Sequence, residues 1–330
     1  MLDISQRYSQ DIFTRSYGAR LVAERLTERY GQKYVDYRAA WGRTENFELP
    51  DFPLNLSLDL VDKCNLACPQ CLRSVDLIKD YKGYLGANEM LSTESVIGAL
   101  DECHDHDMPS LNIGGSGEPT MHPDIAEICQ AAMNRDILEL RLTTNGLRLD
   151  ETLSRRLIDM QAHVVSVSID AISAKTFGLV RGKAHRYQQV VDNVLRFVEL
   201  RKRSNSIFPL LRVTFVSQPE NRHEQKEFIE FWSKYADMID LQSYHDYRAT
   251  TFNSDFDCTE PFRRLTIWAK GQVGPCCGFT GIVYDMGDFK AQSLHEIWHG
   301  EPMARMREMM KTRDWELPCL KCQGTRVMEY

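Results

Sequence analysis

Between residues 54 and 244, six short apolar runs alternate with segments of helical spacing, and no other feature of the chain restricts its fold as much. The runs cover 54–61, 110–115, 138–145, 164–170, 210–216 and 238–244, with helices expected over about 92–107, 122–134, 150–160, 185–203 and 222–235. Strand and helix repeated in this way build a parallel sheet, so the predicted class is α/β. In the first run Leu54, Leu56, Leu58 and Leu60 alternate with Asn55, Ser57 and Asp59, the period of a half-buried strand. In the fourth, Ser166, Ser168 and Asp170 share one face while Val165, Val167 and Ile169 share the other. Barrels of such units carry their chemistry at the carboxyl ends of the strands. The residues that follow each run are therefore the ones to read for function.

The rest of the chain sets bounds. Its 330 residues suffice for one large α/β domain and a smaller one. A net charge of −7 gives no footprint for a polyanion, so no nucleic-acid partner is expected. The start, MLDISQRYSQ, has no signal-peptide core, and no run approaches about 18 apolar residues. A soluble, cytoplasmic protein with no membrane association is the expectation. Leu21, Val22, Leu26 and Tyr30 fall at helical spacing, so residues 1–50 read as a helical extension packed on the barrel. The proline-punctuated ELPDFP at 48–53 closes it. Domains at 1–50, 51–245 and 246–330 follow. Of ten cysteines, Cys103 and Cys129 stand alone on helical segments and read as core residues. The others cluster, which in a reducing compartment points to metal ligation rather than disulfides.

The first run leads directly into DKCNLACPQCLR, where Cys64, Cys68 and Cys71 are spaced C-x3-C-x2-C. Three thiolates on one loop can hold three irons of a cubane and leave the fourth open, whereas structural zinc takes four closed ligands. With this spacing after its first strand, the chain resembles the radical S-adenosylmethionine (SAM) enzymes. The resemblance implies a partial (β/α)6 TIM-like barrel whose [4Fe-4S] cluster binds the amino and carboxylate groups of SAM. It also implies an external electron donor such as flavodoxin or ferredoxin. Gly117 and Glu118 lie in Gly114-Gly115-Ser116-Gly117-Glu118-Pro119, similar to the family's Gly-Gly-Glu motif that receives the SAM amino group. Asn145, in a turn-favouring Asn-Gly pair, can point its amide at SAM. Ser168 and Asp170 match a segment that contacts the SAM ribose and carboxylate, and Arg181 can offer a guanidinium to SAM or substrate. Gln70 stands where the family often has an aromatic residue.

A second cysteine set follows. Cys258 and Cys276 flank Gly271 as C-x12-G-x4-C, Leu294-x2-Ile297-Trp298 suggests a short helix, and Pro318-Cys319-x2-Cys322 closes the pattern. This region resembles the SPASM/twitch extension of radical SAM enzymes. With no cysteine after Cys322, the expectation is one auxiliary [4Fe-4S] cluster held by Cys258, Cys276, Cys319 and Cys322. A four-cysteine zinc site is the competing reading.

A fully ligated second cluster has no iron for a substrate, so its expected part is electron transfer. The leading reading is oxidation of an alcohol carbon in a small polar, sugar- or cyclitol-like substrate. One alternative is an epimerase that uses Cys277, the cysteine left over from the count, as hydrogen donor. A peptide-modifying enzyme is another, although the short amino-terminal segment argues against a built-in leader-peptide module, and a non-catalytic metal-binding protein is the last. His245 and Asp246, in the polar run Tyr244 to Arg248, are expected to line the substrate pocket for acid–base work or hydroxyl recognition.

Overall fold

The structure is a computed structural model that describes residues 7–11, 14–74, 88–246, 249–277 and 282–327. Tyr247 and Arg248 of the polar run lie outside the described residues. A hairpin of β1 (Arg7–Asp11) and β2 (Thr14–Tyr17) precedes helices α1 (Ala19–Tyr30) and α2 (Gln32–Arg43). Then come β3 (Asn55–Leu58), α3 (Thr93–Asp105), β4 (Ser110–Ile113), α4 (Ile125–Met133) and β5 (Glu139–Thr144). They are followed by α5 (Glu151–Asp159), β6 (Val164–Ser168), α6 (Ala174–Arg181) and α7 (Tyr187–Arg203). The series ends with β7 (Leu210–Ser217), α8 (Gln225–Trp232) and β8 (Met238–His245). All six expected strands form. Side-chain caps explain where several helices start: Ser92, Asp150 and Ser173 accept from backbone amides of α3, α5 and α6 respectively.

β3 to β8 run parallel in chain order. Their outward side chains are apolar: Leu56, Leu58, Val165, Val167, Val213 and Phe215 are all fully buried beneath the helices. Each such burial contributes on the order of 1.5–3 kcal/mol. The inward row is polar and partners itself across strands. Asn55 donates to Ser110 Oγ at 2.8 Å, and Thr143 Oγ1 donates to Asn112 Oδ1 at 3.4 Å. The floor is apolar, because Leu26, Tyr34 and Tyr37 of the amino-terminal helices pack against Val164, Leu210 and Met238 at the starts of three strands.

The extension expected over residues 1–50 is helical only from Ala19. Upstream of it, β2 pairs antiparallel with β8 from Thr14↔Gln242 to Tyr17↔Ile239. A terminal barrel strand offers unpaired backbone groups, and a short alternating segment satisfies them. Helix α6 also has no counterpart in the expected series, which began its helix near residue 185.

The carboxyl-terminal region adds β9 (Arg264–Ile267), β10 (Gln272–Gly274), β11 (Gly287–Asp288), α9 (Leu294–His299), α10 (Glu301–Thr312), α11 (Leu317–Gln323) and β12 (Arg326–Val327). It does not stand apart from the barrel. β9 pairs in parallel with the whole of β3, and β12 pairs with the end of β8. The opening between the first and last barrel strands is thus flanked by the second cysteine region on both sides.

Candidate active site

The loop after β3 carries Cys64, Cys68 and Cys71, and the sequence folds it by two tight turns, Cys71 N to Cys68 O at 3.0 Å and Ser74 N to Cys71 O at 2.7 Å. Arg73 closes it by pairing with the buried Asp62. Burial pushes the Cys64 thiol up, and the Cys71 thiol up to about 11.

Two glycines, one after β4 and one at the carboxyl end of α6, let neighbouring segments press against this loop. A Cβ on Gly117 would lie 1.7 Å from the carbonyl oxygen of Val61, and one on Gly182 would lie 2.3 Å from that of Ala67, where φ is also +78°. No side chain fits at either place. The Gly117 turn is fixed by Asp59, the inward residue just past β3, which accepts from Gly117 N at 3.2 Å and Ser116 N at 3.1 Å.

The residues expected to meet SAM do gather around this loop, and most of them brace it. Glu118 is 3% exposed, and its carboxylate accepts from Thr120 Oγ1 and Thr144 Oγ1, each at 2.6 Å, and from Asn145 N at 2.7 Å. Burial pushes its carboxyl up while these hydrogen bonds pull it down. The Asn145 amide donates to Asn65 Oδ1 at 2.6 Å and lies 4.0 Å from Cys64 Sγ. Asp170 and Arg181 form an ion pair of 2.6 Å, and Arg181 Nη1 lies 3.8 Å from Cys68 Sγ. Burial pushes the Asp170 carboxyl up against the pull of Arg181. Ser168 faces the barrel interior and accepts from Thr214 Oγ1 at 3.3 Å. Gln70 Oε1 is buried without a hydrogen-bond partner among the described residues.

Sequence reading missed Asn65 and Lys183, whose Nζ donates to Asn65 O at 2.9 Å. The run Arg181-Gly182-Lys183 as a unit clasps the cysteine loop, and its charge pair around a glycine was the available signal.

The second set gathers at the barrel opening. Burial pushes the Cys258 and Cys276 thiols well up and Cys319 to about 11, with thiols of the same set adding to each shift. Thr266 of β9, level with Ser57 on the inward face, donates to Cys276 O at 2.8 Å. Tyr284 Oη lies 3.6 Å from Cys319 Sγ. The Cys277 thiol donates to Glu260 Oε2 at 3.4 Å while lying near enough to Cys276 and Cys322 to interact with them. Burial alone would push the Glu260 carboxyl up, but Arg264 and Arg263 hold it down at about 2. His245 alternates with the inward Tyr244 and faces the auxiliary side, where its Nδ1 is 2.7 Å from Cys322 O. The Asp246 amide bonds Thr325 O at 3.1 Å. Both residues hold the carboxyl-terminal segment to β8.

The thiol spacing tests which metal centre fits. Among the described residues, the one trio of His, Cys, Asp and Glu ligand atoms lying within 4.8 Å of one another is Asp51, His295 and His299 on the surface. No three thiols of either set approach so closely. A zinc tetrahedron with bonds of about 2.3 Å needs sulfurs about 3.8 Å apart. Thiols bound to separate irons of a cluster stand farther apart, and no trio in either set meets the zinc spacing.

A parallel partial barrel with an open-cornered cysteine loop at its mouth and a second thiol set at its opening defines a class. Residues 59–231 match the radical SAM superfamily and residues 258–323 match SPASM, an iron–sulfur cluster-binding domain. The chain belongs to the radical SAM superfamily, whose domain binds a [4Fe-4S] cluster and SAM, and carries an auxiliary iron–sulfur domain.

Among particular proteins, it is similar to mycofactocin maturase MftC of Mycolicibacterium smegmatis, 29% identical over 56% of this chain and 43% of that one. It is also similar to a probable GTP 3',8-cyclase of Saccharolobus islandicus, 27% identical over 53% of this chain and 52% of that one. The chain thus spans about half the length of the curated relatives it matches. Its fold is shared with SuiB of Streptococcus suis bound to S-adenosylmethionine (TM-score 0.61, 16% identity, 84% of this chain and 73% of that one). It is likewise shared with BtrN in complex with AdoMet and 2-DOIA (TM-score 0.51, 14% identity, 80% and 88%). No helix among the described residues is long and apolar enough to cross a membrane.

Proposed function

We propose that this enzyme oxidises an alcohol carbon of a small polar substrate held inside the barrel, drawing electrons from an external donor such as flavodoxin or ferredoxin. When bound, the cluster and SAM would supply a 5′-deoxyadenosyl radical able to take a hydrogen atom from carbon, and the auxiliary cluster would supply an acceptor for the electron that must leave, with a proton, to form the carbonyl. Cys64, Cys68 and Cys71 hold the first cluster; Cys258, Cys276, Cys319 and Cys322 hold the second. Asn145, Arg181 and Lys183 fix the first loop, and Ser168 with Gln70 offers polar atoms toward SAM. The observation that carries the reading is the hydrogen bond from inward-facing Thr266 to Cys276 O, which puts the second thiol set against the barrel interior. BtrN, solved with AdoMet and 2-DOIA, is matched over most of both chains and supports a small substrate.

A second reading is epimerisation, favoured by Cys277, whose thiol lies beside Glu260 and is left over once four cysteines ligate the second cluster. Restoring the thiol after it gives up a hydrogen atom takes one electron and one proton, which the auxiliary cluster and solvent would supply. Peptide modification is the third, supported by MftC and by SuiB solved with its precursor peptide SuiA.

The test incubates reconstituted enzyme, SAM and reductant with a fractionated metabolite pool in deuterated water and reads products by mass. Oxidation gives a product lighter by two hydrogens, and Cys277→Ala retains it. A product of unchanged oxidation state carrying one deuterium at carbon, and lost in Cys277→Ala, overturns the proposal in favour of epimerisation.

A further inference from the structure

We infer that the barrel interior holds an oxyanion of the substrate, a carboxylate or a phosphate, between Arg141 and Arg212. The inference rests on the reading of the interior as the substrate site. Arg141 on β5 and Arg212 on β7 lie on the inward faces of the two strands that flank β6. Register places Arg212 level with Ser166, and Ser166 level with Thr143, one inward position above Arg141. Their guanidinium groups are near enough for the charge of Arg141 to oppose that of Arg212.

Each guanidinium has one nitrogen engaged. Arg141 Nη2 donates to Glu139 Oε1 at 2.9 Å, and Arg212 Nη2 pairs with Asp240. Those carboxylates are themselves held from behind, Glu139 by Tyr34 Oη at 3.3 Å and Asp240 by Ser16 Oγ at 2.7 Å. They orient the two arginines and leave the Nε of each without an acceptor among the described residues. Both of these nitrogens are buried, and Ser166 Oγ, in a residue 0% exposed, also lacks a partner among the described residues. Buried donors of this kind require an acceptor. A neutral hydroxyl has two lone pairs, too few for two Nε–H groups and a serine hydroxyl. A carboxylate or phosphate offers two or more oxygens, in the fork geometry that arginine matches.

The position also limits length. Ser168 and Thr214 sit one inward position above Ser166 and Arg212, a rise of about 6.6 Å along a parallel strand. A substrate anchored at the arginines meets the polar rim within a few bonds. The Arg141 side chain is 33% exposed and that of Arg212 12% exposed, so solvent reaches the pair through Arg141.

The experiment uses holoenzyme with both clusters and SAM, and measures equilibrium binding of inorganic phosphate and, separately, of acetate at constant ionic strength. The wild type is expected to bind one of them saturably, one per chain, and which one identifies the anion as phosphate or carboxylate. Arg212→Lys and Arg141→Lys keep the charge and lose the fork, so each weakens binding about tenfold. Ser166→Ala, which leaves both ion pairs intact, weakens it several-fold. Absence of saturable binding in the wild type overturns the inference, as does equal binding by all three variants, which marks an adventitious ion only. Cluster absorbance and reductive SAM cleavage are recorded in the same samples. Their failure in the wild type counts against the enzymatic reading, and their persistence without anion binding counts against this inference alone.

Discussion

Replacing Asp170 by Asn removes the negative half of an ion pair whose carboxylate residue is 0% exposed and whose arginine side chain is 12% exposed. The amide has the size of the carboxylate and still accepts from Val216 N, now at 2.9 Å, so packing and the turn after β6 survive. What changes is charge: Arg181 is left inside the protein without its counter-ion, against Cys68. Breaking a buried pair from one side costs about 3–5 kcal/mol, and partial access of water to Arg181 puts this case near about 3 kcal/mol. A domain has about 5–15 kcal/mol in all, so the loss is large but survivable. Arg181→Met should cost a similar amount by stranding Asp170. The double variant strands neither charge, so its loss should fall short of the sum of the singles by about 2 kcal/mol or more. Urea unfolding of cluster-free protein, followed by tryptophan fluorescence, measures all four corners of the cycle. Iron analysis after reconstitution should show the single variants losing iron from the Cys64 loop and keeping it in the second set. A double variant whose loss equals the sum of the two singles would refute the ion-pair reasoning.

Other outcomes follow from single positions. Gly182→Ala places a Cβ 2.3 Å from Ala67 O at positive φ, so the Cys64 loop should shift and SAM cleavage fall at least tenfold, with second-cluster absorbance unchanged; full cleavage would count against the clasp. Changing Cys64, Cys68 and Cys71 together to Ala should remove about four irons per chain and abolish SAM cleavage, as iron analysis and product chromatography would show. His163 is fully buried, with Nδ1 accepting from Leu140 N at 2.8 Å, and burial lowers its pKa to about 3. A histidine depressed when folded binds its proton preferentially when unfolded, so its cost is absent above about pH 6.5 and grows as pH falls toward 3. At pH 5 the loss is about 2 kcal/mol, and it should vanish in a His163→Gln variant measured by urea unfolding at both pH values.

The strands were legible because their outward residues are apolar at every second place, and Leu54 to Leu60 or Val165 to Ile169 cannot be buried otherwise. The cysteine spacings were legible because they are local. What alternation could not reveal is which polar residue supports which. Asn145 and Arg181 look like ligand contacts in one dimension, yet their partners Asn65 and Cys68 lie on a loop far away in sequence. The β2–β8 pairing was hidden for a similar reason, since Thr14 to Tyr17 is too short to announce a strand until the bare edge of β8 is known. His245 reads as a pocket residue from its neighbours alone, and only strand parity turns it to the auxiliary side.

The parallel pairing of β9 with β3 has a consequence for how the protein is made. Asn55 pairs with Arg264, more than two hundred residues later in the chain. At about 5–20 residues per second a ribosome needs about 10–40 s to bridge that gap. Throughout that interval the edge of β3 stays unpaired, and the nascent barrel exposes backbone and apolar surface that a chaperone can hold. The Cys64 loop emerges early but its neighbours Arg181 and Lys183 come much later, so iron delivered during synthesis would meet a loop without its clasp. Stable cluster assembly is therefore expected to be a post-translational event, after β9 has paired with β3.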